Sequence, residues 1–199
     1  MAKLPVSNAR LLFWPTLVML AVVVADQASK LWAVRALADR QSMQVFGSFF
    51  QFTLVYNEGG ALGTQIGPAS YYLIASVLIL VFVLYYAWLN RGRLILSIPL
   101  ALIAGGAIGN IIDRVRIGRV VDFIDVDFFD IHTLGIHLER FWTFNIADSA
   151  ISCSIVFLAI IIIFRLDRPH EFPKGPGDSH APSPEENSSP HSGSTSTDL

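Results

Sequence analysis

The sequence predicts an all-α membrane protein with a small β part: a four-helix transmembrane bundle carrying a small extracytoplasmic β-domain. Three observations predict it. The chain has 199 residues, of which 53% are hydrophobic and only 15% charged, too apolar a balance for an ordinary soluble domain. The apolar residues fall in four blocks, three of them near the roughly 20 residues that a helix needs to cross a bilayer. Two segments between the blocks carry β-branched and aromatic residues with partial alternation, the pattern of strands.

The first span is expected at about 11–36. It reaches crossing length only if Asp26 and Lys30 are included. Lys3 and Arg10 ahead of an apolar run, with Val24-Ala25 as a cleavage-like site, also describe a secretory signal peptide. Helical character resumes after Asp26 at Leu31, Trp32, Val34 and Leu37, so an uncleaved first helix is the reading adopted. From Gln41 to Tyr56 the chain reads as strand, with Val45, Phe50, Phe52, Leu54 and Tyr56 in partial alternation. The cluster Asn57-Glu58-Gly59-Gly60 then supplies a turn. Spans two and three follow at 70–89 and 94–112, joined by the tight turn Asn90-Arg91-Gly92-Arg93. A strand-like stretch at Val120 to Val126 leads into an aromatic and acidic loop, and the fourth span covers 146–165. Residues 167–199 are rich in Pro, Ser, Gly, Glu and His. They carry too little apolar surface to offset their ordering entropy and are expected to form a disordered cytoplasmic tail.

An even number of spans puts both termini on one side. Lys3, Arg10, Arg91, Arg93, Arg165, Arg168 and Lys174 would lie in the cytoplasm by the positive-inside rule. The opposite side carries as many cations: Lys30, Arg35, Arg40, Arg114, Arg116, Arg119 and Arg140. It also carries most of the acids, so local pairing is expected there. A net charge of −2 suggests no nucleic-acid partner. The single cysteine, Cys153, forms no internal disulfide and reads as a small buried apolar residue in span four.

Two carboxylates flank the start of the fourth span: Asp148 within it and Asp122 upstream. Charge near hydrocarbon is costly, so such residues mark candidate functional sites. Two carboxylates that face each other can share one proton and activate water. Other polar residues gather at the same ends of the spans. Asp26 and Lys30 are four apart on one helix face and can pair, either as a structural bridge or as the floor of a site. Asn110, Asp113 and Arg114 end span three. Arg114 can bind a peptide backbone or an anionic group, or simply reach the headgroups. Asn145 and Asp148 form an Asn-x-x-Asp helix start, which reads equally as a capping arrangement. Asp125, Asp127 and Asp130, with His132, His137 and Glu139, read as a solvated acidic loop. Their spacing fits neither a calcium loop nor a zinc motif. By alternation Asp122 and Asp125 lie on opposite strand faces, so one of them would face the bundle.

Five stretches together resemble the lipoprotein signal peptidases (signal peptidase II), a bacterial family of membrane aspartic proteases. They are Asp26-Gln27-Ala28-Ser29-Lys30; Tyr56-Asn57-Glu58-Gly59-Gly60-Ala61-Leu62; Gly105 through Arg114; Gly118-Arg119-Val120-Val121-Asp122-Phe123; and Phe144-Asn145-Ile146-Ala147-Asp148-Ser149. The resemblance implies that Asp122 and Asp148 are the catalytic pair. It implies that Asn57, Gly59, Asn110, Arg114 and Asn145 line the site, and that Asp26 and Lys30 support it. The implied substrate is a prolipoprotein whose cysteine already carries diacylglycerol, cleaved just before that cysteine, with no metal and no cofactor. A monomer in the inner membrane is expected, both termini cytoplasmic and the site near the outer leaflet. Two features depart from the family: Leu62 stands where an aromatic is usual, and the loop from Phe123 to Ala147 is longer. The rival class is a small ion or proton transporter using Asp26, Lys30, Asn110 and Asp148 as a polar path. It would distribute polar residues through the membrane depth, whereas here they gather at one face.

Overall fold

A computed structural model describes residues 8–40, 42–47, 49–60, 67–127, 131–133, 136–138, 143–164 and 166. The expected tail at 167–199, Leu62, Asp130 and Glu139 lie outside the described residues, as do the side chains of His132 and His137.

Among the described residues, four helices are long and apolar enough to cross a membrane: α1 (Asn8–Ala36), α2 (Ala69–Leu89), α3 (Leu94–Ile117) and α4 (Ile146–Phe164). Helix α3 is the centre, packing against each of the other three. Its core is 67% buried, against 6–17% for the other spans, and its sequence explains why. Gly105, Gly106 and Gly109 let backbones approach where a side chain would hold them apart. A Cβ on Gly105 would sit 2.7 Å from the Met19 carbonyl oxygen of α1, and one on Gly106 would sit 2.6 Å from that of Ala147 in α4. At Gly109 it would collide with the Asp26 carboxylate. We therefore expect Gly106→Ala to cost about 1–3 kcal/mol through overpacking, read as a lower melting temperature in detergent.

Helix α3 runs further than the sequence suggested, to Ile117 rather than residue 112. Asp113 does not end it, because Lys30 lies 2.8 Å away and neutralises it. Gly118 is the stop: it is left-handed (φ 75°), and its N–H donates to the Arg114 carbonyl at 3.0 Å, a glycine C-terminal cap. On α4, Cys153 is exposed rather than buried; it lies on the α4 surface left uncovered by α3.

At one end of the bundle lies an antiparallel sheet ordered β1 (Ser42–Phe46), β2 (Phe50–Asn57), β3 (Val120–Val126). Gly47, at φ 55°, makes the β1–β2 turn. Phe52 and Phe123 pack edge-on against Trp32 of α1 at 5.1 and 6.2 Å between ring centres for the first and second pair. Ala33, Leu37 and Phe123 are buried beneath. The expected loop after β3 contains a further hairpin, β4 (Ile131–Thr133) with β5 (Ile136–Leu138).

Two irregularities of the sheet position the polar residues. The β2–β3 register shifts between Phe52 and Val55, so Gln51 faces Asp125 while Val55 faces Asp122. On the other edge of β3, Phe144 forms a lone antiparallel bridge with Ile124, with N–H to carbonyl distances of 2.8 and 2.9 Å. That bridge delivers the next residue, Asn145, to the side of Asp122.

Candidate active site

Asn145 is the hub. It is fully buried, and its side-chain oxygen accepts the Asp148 N–H at 2.9 Å. The Asp148 carboxylate reaches back to the Asn145 N–H at 3.4 Å. This reciprocal pattern caps α4 as the Asn-x-x-Asp spacing suggested. Capping does not exhaust the residue. The Asn145 amide nitrogen donates to the Asp122 carboxylate at 2.7 Å, and also to Asn110 Oδ1 at 3.2 Å and the Val121 carbonyl at 3.3 Å. Asn110 in turn donates to Asp148 Oδ1 at 2.8 Å. Asp122 and Asp148 are thus joined through two linked carboxamides, Asn145 donating to Asp122 and Asn110 to Asp148.

The second oxygen of Asp122 accepts from Asn57 at 3.1 Å. Asn57 holds its own turn by accepting the Gly59 N–H at 2.9 Å. Arg114 ties that turn to α3 by donating to the Gly59 carbonyl at 3.1 Å. Its charge interacts with Asp148, Asp122 and Asp113, most strongly with the first. Asp122 is 1% exposed, whereas Asp148 is half-buried. Burial, and next the charge of Asp148, push the Asp122 carboxyl up to about 7, against the lowering pull of Asn57, Asn145 and Lys30.

Beneath this layer lies an ionic one. The Lys30 ammonium has three donors, and each has a partner: Asp26 at 2.8 Å, Asp113 at 2.8 Å and Asn110 at 2.9 Å. Asp26 also accepts the Ala147 N–H at 3.0 Å, so it fixes the first turn of α4. Asp113 accepts Gln27 Nε2 at 3.0 Å and the Val121 N–H at 3.2 Å, fixing the start of β3. Among the described residues, every buried side-chain polar atom has a partner.

All nine residues singled out from the sequence therefore meet in one connected polar system. Gln27 belongs to it as well, and so does Asp113, which the sequence places only at the end of span three. Asp113 stands three residues after Asn110, on the same helix face, which was the available signal. Asp125 corrects the reading of a solvated loop. It is 3% exposed and accepts from Gln51 at 2.8 Å and Thr53 at 2.7 Å. Regular antiparallel pairing sets Gln51 opposite Asp125, with Thr53 on the same face of β2, and gives the Asp125 charge an interior home. Among the described residues, no group of three or more His, Cys, Asp or Glu could hold a metal ion.

Fold and site together define a multi-pass membrane protein with a paired-carboxylate centre at one end of a helical bundle. Comparison with known proteins narrows this. The family model for signal peptidase (SPase) II matches residues 18–164. A lipoprotein signal peptidase from Pseudomonas putida is 40% identical over 146 residues, 71% of this chain and 81% of that one. One from Pelodictyon phaeoclathratiforme is 38% identical over 145 residues, covering 72% and 86% of the two chains. A solved structure described as a bacterial membrane enzyme determined by the in meso method superposes with a TM-score of 0.64 at 30% identity, over 81% of this chain and 93% of that one. A second, described in the same way, gives 0.59 at 28% identity, over 75% and 92%. The chain belongs to the signal peptidase II family.

Proposed function

We propose that this chain is an aspartic endopeptidase that removes signal peptides from diacylglyceryl-modified prolipoproteins, cutting before the lipidated cysteine, with Asp122 and Asp148 as the catalytic pair. The observation that carries the reading is the shared amide system: Asn145 donates to Asp122 and caps Asp148, while Asn110 donates to Asp148.

Two carboxylates this closely coupled hold one proton between them. The ionised member takes a proton from water as the water oxygen attacks the scissile carbonyl. The protonated member donates to the carbonyl oxygen; as the tetrahedral intermediate collapses and its C–N bond breaks, the carboxyl that took the water proton passes it to the leaving amine, and the other carboxylate recovers its proton from the hydroxyl that becomes part of the new carboxyl group. Asn57, Asn145 and Asn110 hold the carboxylates in place. Arg114, anchored on the Gly59 carbonyl, has guanidinium donors left for a substrate carbonyl. Asp26 and Lys30 support the floor. No metal or cofactor enters these steps. The lipid anchor sets the depth of the scissile bond by partition into the bilayer, which supplies much of the positioning.

In this reading both termini are cytoplasmic, the site lies near the outer leaflet, the protein works as a monomer, and 167–199 is a disordered cytoplasmic tail. The transporter alternative finds no support. The buried charged groups gather at one end, and the buried serines Ser97 and Ser154 make only local bonds to backbone carbonyls.

The direct test is purified protein given a precursor peptide with and without diacylglycerol on its cysteine, in the presence and absence of EDTA. Cleavage before the cysteine of the lipidated peptide only, unchanged by EDTA, is the expected result. Equal cleavage of the unmodified peptide, or loss of turnover with EDTA, would overturn the proposal.

A pH dependence follows. With Asp122 pushed up to about 7, its proton is held below that pH and lost above it. The pair then carries two negative charges and no donor, so kcat/KM is expected to fall as pH rises through about 7. A rate that climbs steadily to pH 9 would contradict the shared proton.

A further inference from the structure

We propose that a second site, behind the carboxylate pair, binds the phosphate of an anionic phospholipid. A cavity of about 210 Å³ opens between α1, α3 and the sheet; Gln27, Leu31, Val34, Tyr56, Arg116 and Arg119 are among its walls. It opens behind the carboxylate pair rather than onto it: Asn57, Asp122, Asn145 and Asp148 do not line it, and Gln27, Lys30 and Asp113 of the ionic layer form its inner wall.

Lys30 is held between Asp26 and Asp113 and brings no free positive charge to the cavity, so its cationic side is Arg116 in the last turn of α3 and Arg119 just before β3. Arg116 is exposed and makes no hydrogen bond or ion pair among the described residues. Arg119 lies over the Tyr56 ring at 4.3 Å and touches Glu58 only at 3.9 Å, both side chains largely exposed. Two guanidinium groups beside an aromatic ring suit a phosphodiester, which accepts their paired N–H donors.

The apolar side of the cavity points to a lipid rather than a soluble anion. Leu31 also lines a second, open groove of about 490 Å³ on α1, formed with Ala28, Trp32, Arg35 and Ala36. The phosphate pocket therefore adjoins an open, mainly apolar groove on α1 that suits an acyl chain, with Arg35 beside it. The groove lies along the C-terminal end of α1 and the pocket between that end and the end of α3, where spans of this length meet the headgroups. Arginines on the side opposite the positive-inside residues thereby acquire a counter-charge from lipid.

The test is native mass spectrometry of the full chain in detergent, titrated separately with phosphatidylglycerol, phosphatidylcholine, diacylglycerol and inorganic phosphate. The wild type is expected to retain one phosphatidylglycerol at least about tenfold more tightly than phosphatidylcholine or diacylglycerol. Arg116→Gln combined with Arg119→Gln, and separately Leu31→Trp to fill the cavity, should each abolish that preference. Arg91→Gln at the other end of the bundle should leave it intact. Melting temperatures measured alongside identify any variant that misfolds. Equal retention of the three lipids, or a preference unchanged in both the double variant and Leu31→Trp, would overturn the proposal. Displacement of the lipid by inorganic phosphate alone would make the ligand a soluble anion and overturn it too.

Discussion

Asp122→Asn and Asp148→Asn are each expected to lower turnover of a lipidated precursor by about 1,000-fold or more, the scale of losing a general acid–base group. The double variant should be scarcely worse than either single one. If the two carboxylates share one proton, removing either destroys the donor-and-acceptor unit, and the second loss has little left to remove. Independent residues would multiply their effects instead. Single-turnover cleavage by the three variants decides between these outcomes. A double variant slower than each single by a further factor of about 1,000 would sink the shared-proton mechanism.

Folding should largely survive these changes, with a difference between the sites. Both oxygens of Asp122 accept, from Asn145 at 2.7 Å and from Asn57 at 3.1 Å. An asparagine there offers one acceptor and sets its NH2 against a donor, costing about 1–3 kcal/mol. Asp148 is less buried and can turn toward solvent, so Asp148→Asn should melt closer to wild type. An Asp122→Asn variant that melts like wild type yet does not turn over would be the strongest evidence for chemistry rather than folding.

Much of this molecule was legible from local pattern. Three of the four spans follow from apolar run length alone, and the first follows once Asp26 and Lys30 are counted within it. Strand β3 coincides with the expected Val120–Val126, because its β-branched and aromatic residues lie between Gly118 and a polar loop. Asn145 and Asp148 announced a helix start by their spacing. What stayed hidden depends on distant partners. A carboxylate followed by an arginine reads as the end of a span, yet Asp113 lies within α3; its neutralisation by Lys30, 83 residues earlier in the chain, is not written in its neighbours. Asp125 reads as a loop acid because its two donors, Gln51 and Thr53, come from β2, more than 70 residues earlier in the chain, through a strand pairing that no local pattern encodes. The Ile124–Phe144 bridge is likewise a long-range closure, and it carries Asn145 to Asp122.

The buried ionic layer leads to the second large effect. Lys30→Met should destabilise the protein by about 3–5 kcal/mol, the usual cost of stripping one partner from a buried ionic group. Lys30 is 3% exposed and serves two carboxylates, Asp26 and Asp113, that are themselves buried. Methionine fills a similar volume, so packing is nearly kept and the loss reports charge. Removing one orphaned charge as well should recover part of it: Asp26→Asn combined with Lys30→Met is expected to melt above Lys30→Met alone. Lys30→Arg should rescue poorly, because a planar guanidinium does not replace an ammonium donating at 2.8, 2.8 and 2.9 Å within a closed space. The effect should also reach the carboxylate pair. Lys30 is among the groups lowering the Asp122 carboxyl, so in any folded Lys30→Met protein the alkaline limb of the pH–rate profile should move upward. Thermal melts in detergent, with pH profiles of the folded variants, test both. A Lys30→Met protein that melts like wild type would mean that lipid, water or protonated carboxyls replace the lysine, and that the layer beneath the site is not held by charge.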